Sequence, residues 1–195
     1  MKILRTVLEE NMVFDVTEDI CVILVRTVLE RKSDIKIKLL SQGVKVRVIY
    51  ADSLKDSRID LSILVNHIAP NTKSEVFTRT VLRENTEFSF CGNIILESEA
   101  GLSLGSLEAK SLADGKNISW EARPNLIIKN KTASALHKES LVNYNQDQVF
   151  YLENRGFSQV EAKKALKKAF LSEAIEKTPN IEEQKNLWKL LKLDI

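Results

Sequence analysis

Hydrophobic and polar residues alternate along most of the chain between Asp34 and about Val142. This period of two is typical of a half-buried β-strand, because successive side chains point to opposite faces of a sheet. Six segments show it: DIKIKLL, VKVRVIY, RIDLSILVNH, SEVFTRTVL, EFSFCGNIIL and PNLIIKN. Short polar connectors separate them, so a parallel sheet with crossover helices is disfavoured. The pattern predicts an all-β region, and alternation alone is compatible with a β-solenoid or a sandwich.

The tetrad RTVL occurs three times, beginning at Arg5, Arg26 and Arg79. A fixed period would indicate the stacked coils of a solenoid, but these three copies are unequally spaced and their surroundings do not match. The recurrence is therefore weak support for a repeat. The first 31 residues show no equally clear pattern, and the sequence leaves their structure open.

After Tyr144 the pattern becomes helical. Three capping pairs mark the starts of three short helices: Asn145 with Gln148, Ser158 with Glu161, and Asn180 with Glu183. The apolar face expected for the second helix consists of Ala162, Leu166, Ala169 and Phe170. Gly156, between the first two helices, suits a left-handed capping position.

The chain is thus divided into a β region, residues 1–143, and a C-terminal helical domain, residues 144–195. The simplest role for the helices is to fold over the open end of the β region and block edge-to-edge pairing. The alternative is that they also dock a partner. Periodicity does not separate the two roles.

The totals limit the class of protein. A chain of 195 residues with 44% hydrophobic content suits one globular domain, or a core with a small appendage. Lys and Arg total 29 against 27 Asp and Glu, so the net charge of +2 gives no electrostatic case for a nucleic-acid partner. No apolar run matches a signal peptide or a membrane span, so a cytoplasmic location and no membrane partner are expected.

The residues suited to soft-metal or covalent chemistry are few: Cys21, Cys91, His67 and His137. Their separations match no ligand motif, so a complete metal site within one chain, or a cofactor bound by the chain alone, is not expected. A metal site whose ligands come from two subunits is still compatible with these residues. There is no GxSxG motif, and the six glycines form no phosphate-binding loop, so an enzyme is not expected either.

Strand parity suggests where these side chains point. His67 shares the parity of the apolar residues in RIDLSILVNH, which predicts a hydrogen-bonded core histidine. Cys91 has the opposite parity to the phenylalanines of FSFC and is expected to face outward, whereas Cys21 lies among apolar residues and is expected to be buried. His137 has the parity of Ala133 and Ala135, which is compatible with a core position or an interface pocket.

Three segments, taken in order, resemble the SufB/SufD family, the β-helical components of the SUF iron-sulfur cluster assembly machinery. They are NHIAPNTKSEVFTRTVLRENTEFSFCGNIILESEAG, RPNLIIKNKTASALHKES and QDQVFYLENRGFSQVEAKKALKKAF. The second has the family's spacing from proline, here Pro124, to histidine, here His137. The resemblance covers roughly Asp60 to Phe170, and the ordered combination is more specific than any single motif.

The resemblance implies a right-handed parallel β-helix followed by a small C-terminal helical domain. In the family, two β-helices pair to form a SufB-SufD heterodimer, and the C-terminal helices receive the ATPase SufC. By position, His137 is implied to be an interface residue or a ligand of iron or a cluster. The implied ATPase-docking residues are Phe150, Tyr151, Leu152, Arg155, Gly156 and Phe157.

Three departures from the family pattern also matter. Ala135 stands where SufD-type sequences commonly have cysteine, Leu136 where SufB-type sequences tend to have an acidic residue, and Ile118 near an important SufB cysteine. With these thiols missing, the resemblance implies a short, SufD-like, non-catalytic scaffold. Its expected partners are a SufC-type ATPase and a SufB-type protein or a second copy, with a transient iron-sulfur cluster at their interface. The alternative is a stand-alone β-solenoid interaction module without a role in cluster assembly.

Overall fold

A computed structural model of the chain describes residues 1–26 and 31–191. Most of the second RTVL copy, residues 27–29, lies outside the described residues. Twelve strands come first: β1 (Lys2–Val7), β2 (Asn11–Val16), β3 (Ile20–Val25), β4 (Lys32–Leu39), β5 (Lys45–Leu54), β6 (Ser57–His67), β7 (Lys73–Leu82), β8 (Thr86–Leu96), β9 (Leu104–Ala113), β10 (Ile118–Ala122), β11 (Asn125–Ile128) and β12 (Ser134–Val142). Three helices follow: α1 (Gln146–Glu153), α2 (Gln159–Ile175) and α3 (Ile181–Leu190).

The strands form two parallel sheets. Sheet A has the order β1-β3-β5-β7-β9-β12, and sheet B has the order β10-β8-β6-β4-β2, with β11 also paired to β8. Because the chain passes from one sheet to the other after nearly every strand, it winds into a parallel β-solenoid. The predicted parallel β-helix with C-terminal helices is confirmed, and the sandwich allowed by alternation is wrong.

The alternation within each strand becomes layers inside the solenoid. Ile37, Val65 and Ile94 occupy the same position in three successive strands of sheet B, and all three are fully buried. Their outward neighbours are polar or partly exposed, as the period of two requires. The first 31 residues, which the sequence left open, contribute β1, β2 and β3 to the same two sheets.

One set of turns is held by a ladder of short polar side chains. Asp56, Asn85 and Asn117 all have positive φ, at 46°, 51° and 56°. The Asn85 amide donates to Asp56 over 2.9 Å, and the Asn117 amide donates to Asn85 over 2.9 Å. Asn and Asp tolerate the left-handed region better than other residues with side chains. The ladder therefore stacks one turn on the next.

The three helix starts lie where the capping pairs predict. The side chains of Asn145, Ser158 and Asn180 each accept a backbone N–H of the first turn, and Ser158 forms a complete capping box with Glu161. Gly156 has φ of +93°, as its predicted capping position requires.

The helices pack beside sheet A and do not close the end of the solenoid. The buried face of α2 includes Leu171, Ala174 and Ile175, which share an apolar cluster with Ile49 and Val81 on the outer face of sheet A. The expected helical cap over the open end is therefore wrong.

The expected apolar face of α2 is also only partly right. Ala162 is buried, but Ala169 is exposed. The physical reason is that the helix lies along a sheet, whose outer apolar patch selects the face of contact. Short-range periodicity within the helix does not contain that information.

Candidate functional site

The last coil of the solenoid, formed by β10, β11 and β12, has an uncovered end. Leu126 and Ile128 pair with the buried residues Ile94 and Leu96, yet 40% and 44% of their surfaces are exposed. Within residues 1–26 and 31–191, no further strand pairs with β12 in sheet A or with β10 and β11 in sheet B. Such edges present unpaired backbone groups and can pair with another chain.

His137 points into this last coil. It lies on β12 opposite Leu107 of β9, whose side chain is buried in the solenoid core. Its Nε2 lies 2.7 Å from Oε1 of Glu139, two residues further along the same face. Only 8% of the His137 side chain and 5% of the Glu139 side chain are exposed.

The pair retains two polar atoms without a protein partner. Nδ1 of His137 and Oε2 of Glu139 are both buried and make no hydrogen bond. Buried polar atoms are usually satisfied, so an unsatisfied pair needs an explanation. Together they provide one nitrogen and one oxygen atom, both of kinds that coordinate metal ions, at the uncovered end of the solenoid.

Gly92 on β8 makes room for the pair. A Cβ atom at this position would lie 2.8 Å from Oε1 of Glu139 and 2.9 Å from both Cε1 and Nε2 of His137. Sequence reasoning selected His137 but missed Glu139 and Gly92. The parity of residues 137 and 139 could have shown that they share a face, whereas the contact with Gly92 joins two sheets and has no local signal.

The departures from the family pattern lie around this pair. Ala135 faces inward opposite Gly105, whereas Leu136 faces outward and is 53% exposed. Ile118 is partly buried on β10, opposite Thr86. None of these side chains can act as a ligand, so His137 and Glu139 carry the donor atoms here.

The remaining cysteine and histidine side chains lie elsewhere. Cys21 is fully buried, and this burial raises the pKa of its thiol to about 11. Cys91 is partly exposed on the outer face of sheet B, where it lines a cavity of about 730 Å³ with Arg58 and Arg123. No group of three or more His, Cys, Asp or Glu side chains in the described part of the chain could hold a metal ion.

His67 is the core histidine that parity predicts. Its Nδ1 lies 2.8 Å from Oγ1 of Thr72, and its Nε2 lies 2.8 Å from Oγ of Ser74. The side chain is fully buried, and this desolvation lowers its pKa to about 4. His67 is therefore neutral and satisfied, in contrast to His137.

The proposed docking residues form an exposed segment at the end of α1. Phe150 is 65% exposed and Tyr151 is 57% exposed. The Arg155 guanidinium lies 5.2 Å from the centroid of the Tyr151 ring, a cation–π contact. After Gly156, the N–H of Phe157 donates to the carbonyl of Leu152 over 3.2 Å, which turns the chain sharply into α2. The fold thus holds large apolar side chains in solvent on a well-defined turn.

A buried arginine ties these helices to the solenoid. Arg79 of β7 is 3% exposed, and its Nε donates to Glu173 of α2 over 2.9 Å. It also forms an ion pair with Glu108 of β9 and donates to the carbonyl of Thr78. The helical segment is therefore anchored to sheet A by charge as well as by apolar contact. No helix of the described residues is long and apolar enough to cross a membrane.

Comparison with known proteins agrees with this architecture. The profile of the family described as "SUF system FeS cluster assembly, SufBD core domain" matches residues 30–170. This range includes the solenoid from β4 onward and most of α2.

Individual relatives have low sequence identity to this chain. An iron-sulfur cluster assembly SufBD family protein of Synechocystis is 26% identical over 113 residues, which is 58% of this chain and 24% of the relative. Iron-sulfur cluster assembly protein SufB of Bacillus subtilis is 22% identical over 125 residues, 64% of this chain and 27% of the relative. A SufBD family protein of Mycobacterium bovis is 25% identical over 155 residues, 80% of this chain and 18% of the relative.

The chain thus spans about a quarter or less of the length of these three relatives. The matched range nevertheless covers well over half of the chain and contains both the last coil and the exposed turn. The chain belongs to the SufB/SufD family of the SUF iron-sulfur cluster assembly system.

Proposed function

We propose that this protein is a non-catalytic, SufD-like scaffold subunit of a SUF-type iron-sulfur cluster assembly complex. Its solenoid pairs with a SufB/SufD-type protein, and its C-terminal helices dock a SufC-type ATPase. The observation that carries the proposal is the family match over residues 30–170, a range that includes the last coil of the solenoid and the exposed turn at Gly156.

The exposed turn supports the docking of an ATPase. Phe150 and Tyr151 are adjacent and both more than half exposed beside the turn at Gly156, and clustered exposed aromatic side chains are typical of binding surfaces. The anchor between Arg79 and Glu173 would transmit movement of a docked subunit to sheet A. The same contact would couple ATP-driven motion of a partner to the solenoid.

The uncovered last coil supports pairing with another β-helix. The three apolar residues of β11, Leu126, Ile127 and Ile128, are all exposed at the edge of sheet B. Addition of strands from a second solenoid would satisfy the backbone edges and bury these side chains. Such pairing would also place His137 and Glu139 close to the interface.

A supporting role fits the chemistry of the last coil better than a cluster-building role. Ala135, Leu136 and Ile118 replace the reactive side chains that the family resemblance places there. The thiol of Cys91 lies on the outer face of sheet B, away from the inward face that carries His137. An iron-sulfur cluster would be cargo held with a partner's ligands.

The test is co-expression with a SufC-type ATPase and a SufB-type protein, followed by affinity capture and size-exclusion chromatography. The expected result is a complex that contains all three chains. Tyr151→Ala should abolish capture of the ATPase but retain the SufB-type protein, because it removes an exposed side chain only from the docking turn. Val13→Ala, at an exposed position on β2 with 58% exposure, is the matched control and should retain both partners.

Pairing through the last coil is tested separately. Ile127→Lys introduces a charge on β11 without disturbing a buried residue, since Ile127 is already 37% exposed. It should abolish capture of the SufB-type protein and leave ATPase binding intact. Capture of neither partner by the unaltered chain would overturn the proposal in favour of a stand-alone solenoid module.

A further inference from the structure

The contact between His137 and Glu139 involves only one of the two nitrogens of the imidazole ring. The ring Nε2 lies 2.7 Å from a carboxylate oxygen, while Nδ1 has no partner at all. An ionised carboxylate only accepts hydrogen bonds, and a neutral imidazole has one N–H donor and one lone-pair acceptor. Because Nε2 faces the carboxylate and Nδ1 has no acceptor within hydrogen-bond distance, the geometry favours the N–H on Nε2 and the lone pair on Nδ1.

We propose that Glu139 is a positioning residue for His137, which locks the imidazole as the Nε2–H tautomer and keeps Nδ1 as the free nitrogen. Histidines that bind metals commonly donate their other ring N–H to a carboxylate, which fixes both the tautomer and the ring orientation. The interior of the last coil contains the same contact between an imidazole nitrogen and a carboxylate. Nδ1 is therefore the ring nitrogen whose lone pair makes no hydrogen bond within the described residues.

Small residues around His137 and Glu139 leave space for their contact. Glu139 lies opposite Ala109, whose small side chain leaves space within the solenoid. Gly92 removes the side chain that would otherwise occupy the place of the contact, since a Cβ there would be 2.8–2.9 Å from three atoms of the pair. The hydrogen bond on β12 is thus enclosed by β9 of the same sheet and by Gly92 of the opposite sheet.

His67 shows that an interior histidine does not need such an arrangement. Both of its ring nitrogens lie within hydrogen-bond distance of hydroxyl groups, which can donate or accept. A histidine with a purely structural role in this solenoid is satisfied on both sides. In His137, one ring nitrogen contacts a carboxylate oxygen and the other makes no hydrogen bond.

A positioned His137 has a role only under the proposed function, in which this residue faces a partner. The experiment itself uses the chain alone. The measurement is nuclear magnetic resonance of the histidine side chains in the full ¹⁵N-labelled chain, at a pH of about 8 where ordinary imidazoles are neutral. The chain contains only two histidines, so His67→Gln assigns both sets of signals. The expected result for His137 is a protonated Nε2, an unprotonated Nδ1, and a slowly exchanging Nε2 proton far downfield.

Three variants then separate positioning from packing. Glu139→Gln retains an acceptor but removes its charge, so the Nε2 proton signal should move upfield while the tautomer stays. Glu139→Ala should abolish the slowly exchanging signal. Gly92→Ala keeps both members of the pair and should displace them, with the same loss. Glu121→Gln removes a carboxylate whose side chain is 62% exposed on β10 and should leave the signal unchanged.

A proton on Nδ1 of His137 in the unaltered chain would overturn the inference. So would an unchanged Nε2 signal in Glu139→Gln and Gly92→Ala, even if these variants unfold at lower temperature, because that result is expected of a packing role alone. If Glu139→Ala fails to fold, the other two variants decide. Failure to capture an ATPase or a SufB-type protein would refute the proposed function and leave these spectra as they are.

Discussion

Acidification should destabilise the solenoid through His67. This side chain lies in a layer between Leu39 and Leu96, with no exposed surface. Desolvation lowers its pKa from 6.5 to about 4. The folded protein therefore keeps the ring neutral at a pH where the unfolded chain binds a proton.

The sign and size of the effect follow from that difference. Between pH 6.5 and about 4 the unfolded state binds more protons, so the free energy of unfolding falls as the pH falls. Each pH unit within this window is worth about 1.4 kcal/mol. From pH 7 to pH 5, His67 should therefore cost about 2 kcal/mol of stability.

The assay is urea unfolding at pH 7 and pH 5, for the unaltered chain and for His67→Gln. Glutamine does not titrate but can still bond with the hydroxyls of Thr72 and Ser74. The variant should lose about 2 kcal/mol less than the unaltered chain over this range. Ser74→Ala is the control, because it removes one hydrogen-bond partner and leaves the titrating ring buried. Equal losses for the unaltered chain and His67→Gln would refute the reasoning.

Three further results are expected. Glu173→Gln should loosen α2 from sheet A and lower the free energy of unfolding by about 1 kcal/mol, because Glu173 is half exposed but its partner Arg79 is buried. Faster proteolysis of the helical segment would show this loosening. Asn85→Ala should cost about 1 kcal/mol in thermal unfolding, because alanine is strained at the positive φ of this turn, whereas Asn85→Gly should cost less. In thiol labelling of the folded protein, Cys91 should react and Cys21 should not, because Cys21 is buried and its pKa is raised to about 11; equal rates would contradict this.

Several features were predictable because they depend on residues close together in the chain. The capping positions of Asn145, Ser158 and Asn180 involve backbone groups two or three residues away. Inward and outward faces follow from alternation within a single strand, which is why the burial of His67 was correct. The left-handed turn at Gly156 is likewise a local property.

The rest depends on residues that are distant in the chain. Alternation predicts strands but not their partners, so only the pairing of positions some 18 to 32 residues apart distinguishes a parallel solenoid from a sandwich. The predicted face of α2 is only partly right because the contact is chosen by sheet A. Short-range patterns contain no information about which surface a helix will meet.

The amino-acid sequence by itself determined where strands, turns and helix starts lie, because each is stabilised by hydrogen bonds or side-chain directions within a few residues. It also singled out His137. Only the tertiary structure decided what surrounds that histidine. The winding of the chain brings Gly92 of one sheet against Glu139 and His137 of the other, and it leaves the last coil uncovered. A hydrogen bond held across two sheets exists only when the whole solenoid has formed.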